Sequence, residues 1–261
     1  MSVSLIITTY NRPDALFLVL KSVKIQTILP DEIIIADDGS NDMTKECVAD
    51  FNKSSTLKLV HSWQQDKGFR VAKSRNKAIA KSTCDYIILI DGDMILHHRF
   101  IEDHLYHAEL GYFVQGSRIL LSEEASSLAF NKAENNFSFF SKGLSNRQNS
   151  IYSLFLAQLF LKKKNLLKGI KTCNMGFYRQ DCLNINGFNN QIEGWGREDS
   201  EFIVRLFNSG INRKHVYFNL IQYHLWHKES ARDLLAKNEK ILQNTIKNRL
   251  LYCDSGLSQY L

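Results

Sequence analysis

Val3-Ser4-Leu5-Ile6-Ile7-Thr8-Thr9-Tyr10-Asn11-Arg12-Pro13-Asp14 is an apolar run that turns polar within one residue and meets a proline soon after. A short apolar run bounded in this way reads as a buried strand, here over 3–8. A helix follows it: Pro13 is tolerated in a first turn, Asn11 is a candidate cap, and Leu16, Val19, Leu20 and Val23 recur at the spacing of one buried face. Strand, loop and helix in that order form half of a βα unit.

The same pattern recurs outward. Apolar runs at 33–36, 57–61 and 86–90 predict three more strands, with helices over 44–52, 71–81 and 99–110. This alternation predicts an α/β fold, Rossmann-like, with a mostly parallel central sheet and flanking helices. Past residue 120 the signal changes. Residues 122–150 are polar and rich in Asn and Ser, which reads as a mobile insertion, and 151–171 are basic and amphipathic. Order returns with 172–178, a helix over 198–209, a strand near 216–223 and a C-terminal helix over 230–251. The expectation is one domain, 1–261, in three parts: 1–117, a variable basic insertion 118–171, and 172–261.

Composition narrows the class. With 261 residues, 44% hydrophobic and 23% charged, the chain can bury a core, and two prolines with thirteen glycines exclude collagen-like or linker-rich readings. Five cysteines, odd in number and without a C-x-x-C pair, suggest neither a disulfide framework nor a zinc knuckle, so a reducing compartment fits. The longest apolar stretch, 151–161, is about half the ~20 residues of a spanning helix, and the opening residues lack a basic leader. A cytoplasmic protein is expected. Of 33 Lys and Arg, eight fall between 135 and 180 with no acid among them, leaving 25 against 27 Asp and Glu elsewhere. The net charge of +6 therefore comes from one segment, either a solvated helix face or a surface for phosphates or an anionic leaflet.

In open parallel sheets ligands sit beyond the carboxyl ends of the strands. There the chain places Thr8-Thr9-Tyr10-Asn11-Arg12, Asp37-Asp38-Gly39-Ser40 and Asp91-Gly92-Asp93. Tyr10 can stack on a base, Asp38 can accept from an imide N–H, and Asp91 with Asp93 can reach a ribose or a divalent cation. Each signal alone is ordinary turn chemistry. Neither G-x-G-x-x-G nor a P-loop occurs, so a diphosphate bound here would need a metal to neutralise it.

These stretches, with Gly68-Phe69-Arg70-Val71-Ala72-Lys73-Ser74-Arg75-Asn76, resemble the nucleotide-binding half of family 2 glycosyltransferases, which have the GT-A fold. Asn174-Met175-Gly176-Phe177, Asn186-Gly187-Phe188-Asn189 and Gly194-Trp195-Gly196-Arg197-Glu198-Asp199-Ser200-Glu201 resemble the acceptor half of bacterial chondroitin-polymerase-type enzymes and β-1,4-galactosyltransferases. The resemblance spans roughly 3–230, with 120–170 unmatched.

It implies a nucleotide-sugar-binding half at 1–117 and an acceptor-side extension at 172–261. Thr8, Tyr10, Arg12 and Asp38 would contact uracil or its surroundings, Phe69, Lys73 and Asn76 would support the nucleotide, and Asp91 would face the ribose or the metal. Asp93 would ligate the metal, with His227 first and His224 second as further ligands. Two imidazoles favour Mn²⁺ over Mg²⁺. His97, His98, His104 and His107 read as surface helix residues. Trp195 and Gly196 would floor the sugar pocket, Glu198 would hold acceptor hydroxyls, and Asp199, in the first turn of a helix, would be the general base.

The activity implied is inverting transfer of a hexose from a UDP-sugar, galactose or N-acetylgalactosamine, to an oligosaccharide or lipid-linked glycan in lipopolysaccharide, O-antigen or capsule synthesis. The alternative is an inactive sugar-nucleotide-binding module of the same fold. No nucleic-acid partner is expected. Apolar residues beside Lys162, Lys163 and Lys164 at helical spacing suggest either an interfacial helix on an anionic membrane or a lid over the acceptor.

Overall fold

The computed structural model describes residues 1–132, 137–228 and 233–261. β1 (Val3–Thr9) runs into α1 (Pro13–Lys24), and the alternation continues through β2 (Glu32–Asp37), α2 (Asp42–Lys53), β3 (Leu59–Trp63), α3 (Val71–Lys81) and β4 (Tyr86–Asp91). Next come β5 (Met94–Leu96), α4 (Phe100–His107), β6 (Tyr112–Gln115), β7 (Ile119–Leu121), α5 (Glu123–Lys132) and β8 (Leu144–Ser145). The chain then forms α6 (Leu154–Leu159), β9 (Lys162–Lys163), β10 (Asn174–Tyr178), α7 (Arg179–Asn184) and α8 (Glu198–Asn208). β11 (Asn212–His215), β12 (Gln222–His224) and α9 (Leu235–Lys247) complete it.

The main sheet has eight strands in the order β3-β2-β1-β4-β10-β6-β11-β9. It is parallel from β3 to β4, and β10 runs antiparallel to both its neighbours. Alternate side chains feed two cores, because successive residues of a strand point to opposite faces. Leu5, Ile7, Ile33, Ile35, Ile88 and Ile90 pack with Leu16, Val19, Leu20 and Val23, the stripe read from spacing in α1. Ile6, Ile34, Ile87 and Leu89 pack on the other face with Ala72 and Ile79 of α3 and Phe202 and Leu206 of α8. A smaller sheet, β5-β12-β7-β8, packs Ile95, Ile119 and Tyr223 against Ala125 and Ala129 of α5.

Several sequence expectations are corrected. The third strand starts later than 57 because pairing with β2 sets Leu59 opposite Ile33. Asn11 does not cap α1: it adopts φ 49°, Arg12 holds the cap position, and Asn11 Oδ1 instead accepts from the Asn41 N–H at 2.9 Å. Part of the polar stretch 122–150 folds as α5, packed on the core through two alanines; residues 133–136 within it lie outside the described residues. The strand expected near 216–223 is two strands, β11 and β12, around a turn in which Phe218 and Leu220 take φ of 63° and 53°. β11 is polar, Asn-Arg-Lys-His, and is buried because Arg213 donates to the Leu166 carbonyl at 2.8 Å and Lys214 to that of His107 at 3.0 Å. Hydrophobic patterning cannot see such a strand.

Residues 151–171 do not form one interfacial helix. α6 is six residues long, capped by Ser153, and β9 then pairs with β11 at the edge of the main sheet. The start of the expected C-terminal helix at 230 lies outside the described residues, and α9 begins at Leu235. His104 and His107 are not surface residues. Both are buried, His104 against Asn174 Oδ1 at 3.0 Å, and burial pulls the His104 imidazole down to about 3. No helix among the described residues is long and apolar enough to cross a membrane.

Candidate active site

The ends of β1, β2 and β4 open on one cleft of about 1020 Å³. Thr8, Tyr10, Arg12, Asp38, Phe69, Asp91 and Asp93 line it from the first half of the chain. Trp195, Gly196, Glu198, Asp199, His224 and His227 line it from the second half. Lys73 and Asn76 do not. On α3, Val71 and Arg75 face the cleft one helical turn apart, and positions 73 and 76 lie on other sides. Asn76 is a buried strut: it donates to the Phe188 carbonyl at 2.7 Å and accepts from the Phe188 N–H at 2.8 Å.

The two aspartates after β2 divide their work. Asp37 is fully buried, accepts from the Gly39 and Ser40 N–H groups at 3.1 and 2.7 Å, and meets His61 Nε2 at 2.8 Å. Thus Asp37 builds the turn and Asp38 faces the cleft, accepting from the Arg70 N–H at 2.7 Å and from Gln64. Burial pushes the Asp38 carboxyl up, against the pull of these donors. Gly39 sits at φ +101°, and a Cβ there would stand 2.5 Å from the Asp66 Cα, so the loop after β3 can close on the turn beside a glycine alone. The Tyr10 hydroxyl donates to Asp66 at 2.9 Å and ties that loop to the end of β1.

β5 and β12 pair with Met94 opposite His224, and the Leu225 N–H donates to the Asp93 carbonyl at 3.0 Å. This register brings both imidazoles to Asp93. His224 and His227 each place Nε2 at 3.4 Å from Asp93 Oδ2, and one ligand atom from each of the three residues lies within 4.8 Å of the others. Asp93 Oδ1 is buried without a hydrogen-bond partner among the described residues. A carboxylate with an unused buried oxygen beside two imidazoles fits a divalent cation. Arg12 Nη1, at 3.6 Å from Asp93 Oδ2, adds positive charge at the same point.

Asp91 turns the other way, toward Arg75 Nη2 at 3.2 Å. Arg75 is one cleft residue that sequence reading missed. Its buried guanidinium also reaches Asp199 Oδ1 at 3.1 Å, Glu198 Oε1 at 3.7 Å and Thr8 Oγ1 at 3.3 Å. A signal existed: an arginine on the 72/75/79 face of α3, otherwise apolar and buried, requires carboxylates around it. Asp199 also accepts from the Thr172 hydroxyl at 2.6 Å and the Thr172 N–H at 3.1 Å. Of the roughly four acceptor sites of a carboxylate, these donors take three and leave one on Oδ2. Burial, with the Asp199 charge beside it, pushes Glu198 up to about 8 against the pull of Arg75, and Glu198 Oε2 is buried without a partner among the described residues.

The Trp195 loop is held from behind by α9. Asn238 donates to the carbonyls of Glu193 and Gly196 at 2.8 and 3.0 Å, and Gly196 sits at φ +99° against Leu235. Arg118, Lys171 and Trp226 also line the cleft and were not singled out from sequence.

Known proteins share this chain's family and fold. The family model for glycosyl transferase family 2 matches residues 4–179, and that for the N-terminal domain of galactosyltransferase matches 154–228. The hyaluronan synthase of Pasteurella multocida is 28% identical over 233 residues, 80% of this chain and 23% of that protein. The chondroitin synthase of Escherichia coli is 25% identical over 79% of this chain and 32% of its own length. The chain thus spans about a quarter to a third of these relatives. Among solved structures, Staphylococcus aureus TarS 1–349 in complex with UDP superposes with a TM-score of 0.66 at 14% identity, over all of this chain and 68% of that one. A mannosyltransferase from Pyrobaculum calidifontis with GDP-Man and Mn²⁺ gives 0.58 at 15% identity, over 87% of this chain and 57% of its own. These neighbours show the GT-A fold.

Proposed function

The chain belongs to glycosyltransferase family 2, and we propose that it is an inverting transferase that moves a hexose from a UDP-sugar to a saccharide acceptor. The observation that carries this reading is the layout of one cleft: Tyr10 and Asp38 on one wall, the Asp93–His224–His227 cluster, and Asp199 held by Arg75 and Thr172. Residues 1–117 then hold the nucleotide and 172–261 the acceptor, joined by the variable segment 118–171.

In this mechanism Tyr10 stacks on uracil and Asp38 accepts its imide N–H. Asp199 Oδ2 takes the acceptor hydroxyl proton as that oxygen attacks the anomeric carbon from the face opposite UDP. The new glycosidic C–O bond forms while the bond to the diphosphate breaks, so UDP leaves with the electron pair and the anomeric centre inverts. Asp93, His224 and His227 would hold a divalent cation, which would neutralise the charge of the departing diphosphate. Glu198, its carboxyl pushed up by burial and by Asp199, presents its unpartnered Oε2 to acceptor hydroxyls, and Trp195 offers the flat apolar surface on which a sugar ring rests.

Galactose or N-acetylgalactosamine is the sugar we assign, supported by the galactosyltransferase match over the acceptor-side segment. Relatives named for hyaluronan, chondroitin and O-antigen chains support an acceptor in a surface polysaccharide: lipopolysaccharide, O-antigen or capsule. UDP release from a panel of UDP-sugars, with Mn²⁺ and saccharide acceptors, tests the reading. Acceptor-stimulated UDP release from one of them supports it, and binding of UDP-sugars without turnover under any acceptor would replace it with the inactive module.

A further inference from the structure

Residues 154–164 present an outward face that neither core nor cleft uses. α6 is fixed from beneath by Ala157, its one buried residue, and by the Ser153 N–H, which donates to the Phe218 carbonyl at 2.9 Å. Its outer side carries Phe155 and Leu159, 75% and 64% exposed, and neither lines the cleft. Gln158 bonds the Tyr106 hydroxyl of α4, so Tyr106, 54% exposed, borders the same face. Phe160, half-exposed, leans on the Phe218 ring at 5.6 Å between centroids.

Cations follow at once. Lys162, Lys163 and Lys164 are all exposed, Lys162 above the Tyr217 ring at 5.1 Å and Lys163 above the Tyr112 ring at 4.3 Å. Glu109 meets this edge, but Lys163 at 3.0 Å and Lys214 at 2.5 Å outnumber its charge. Along the sequence no acid occurs between 135 and 180. Large apolar tips beside long cationic stems match the boundary between lipid headgroups and acyl chains, where the tips leave water and the lysines meet phosphate. Two copies of this chain meeting on this face would set the lysines of one against those of the other, which disfavours self-association.

We propose that the face made by Phe155, Leu159, Tyr106 and Lys162 to Lys164 docks the protein peripherally on an anionic lipid bilayer. Ile170 and Lys171, which line the cleft, follow Lys164 by no more than about 25 Å of chain, so docking holds the cleft near a lipid-borne acceptor. Docking does not depend on the transfer chemistry, and a failure of either leaves the other standing.

Flotation of the full chain with phosphatidylcholine vesicles and with vesicles containing phosphatidylglycerol tests it. Binding to the anionic vesicles alone is expected, weakened by high salt. Each lysine changed to Gln among Lys162, Lys163 and Lys164 should lower vesicle affinity about fivefold. Phe155→Ser with Leu159→Ser should lower it at low salt as well, without changing the melting temperature, because both side chains are exposed. Equal binding to neutral vesicles, or binding unaltered in these variants, overturns the proposal. So does soluble polyglutamate binding as tightly as vesicles and insensitive to Phe155→Ser, which would mark an acidic protein partner. Self-association lost in Phe155→Ser would overturn it in favour of a second copy.

Discussion

Arg75 and Asp199, 124 positions apart in sequence, meet at 3.1 Å across the cleft, and the other arm of the same guanidinium holds Asp91 at 3.2 Å. One buried cation on α3 thus ties the end of β4 to the first turn of α8. Burial pulls the Arg75 pKa down, but Asp199, Asp91 and Glu198 around it hold it above the ordinary value.

Removing that cation leaves carboxylates facing one another with no counter-charge. Arg75→Met should cost about 3 kcal/mol of stability at neutral pH, measured by urea unfolding. Adding Asp199→Asn to it should recover part of the loss, because one of the stranded charges is gone. Additive losses in the double variant would show that the ion pair is not what Arg75 contributes.

Asp199→Asn keeps the shape of the side chain and its bond from the Thr172 N–H, but not its basicity. Transfer should fall ~10²-fold to 10⁴-fold while UDP-sugar binding, measured by calorimetry, changes little. Glu198→Gln should act mainly on the KM for the acceptor. If Asp199→Asn turns over normally, the base lies elsewhere in the cleft.

Metal dependence follows from the Asp93 cluster. EDTA should abolish activity, Mn²⁺ should restore it, and Asp93→Ala or His227→Ala should each weaken Mn²⁺ binding, read directly by electron paramagnetic resonance, by roughly 10-fold or more. Full activity in EDTA would assign diphosphate neutralisation to Arg12 and its neighbours.

Acid stability should report a second buried carboxylate. Burial would raise Glu32, yet Lys58 at 2.7 Å, the Thr83 N–H at 2.7 Å and the Ser4 hydroxyl at 2.7 Å hold it down to about 2 from 4.5. A depressed folded pKa stabilises above the unfolded value and loses that contribution as pH falls from 4.5 toward 2. The contribution is on the order of 3 kcal/mol. The melting-temperature gap between wild type and Glu32→Gln should be constant at neutral pH and close through that acidic window, whereas a gap independent of pH would exclude the charge as its source.

How much of this was legible before folding differs by residue. The strand and helix of 3–24, the D-D-G-S turn and the G-W-G-R-E-D stretch could be read because their signals are local: period, capping chemistry and adjacent functional side chains. Lys73 and Asn76 were misplaced because a motif gives a segment, whereas the turn of α3 decides which of its residues face the cleft. His104 and His107 looked exposed on a polar helix, and packing under β10 and the 219 loop buries them.

The sequence by itself determined that strands end in carboxylates and an aromatic on one edge of a parallel sheet, since alternation and local polarity are properties of neighbouring residues. Only the tertiary structure decided that His224 lies beside Asp93, through the Met94–His224 register, and that Arg75 joins Asp91 to Asp199. It also decided that the polar segment 212–215 is a buried strand, satisfied by carbonyls from distant loops. Those outcomes depend on pairing between residues far apart in the chain, where the energy of burying a charge is set by the groups that close around it.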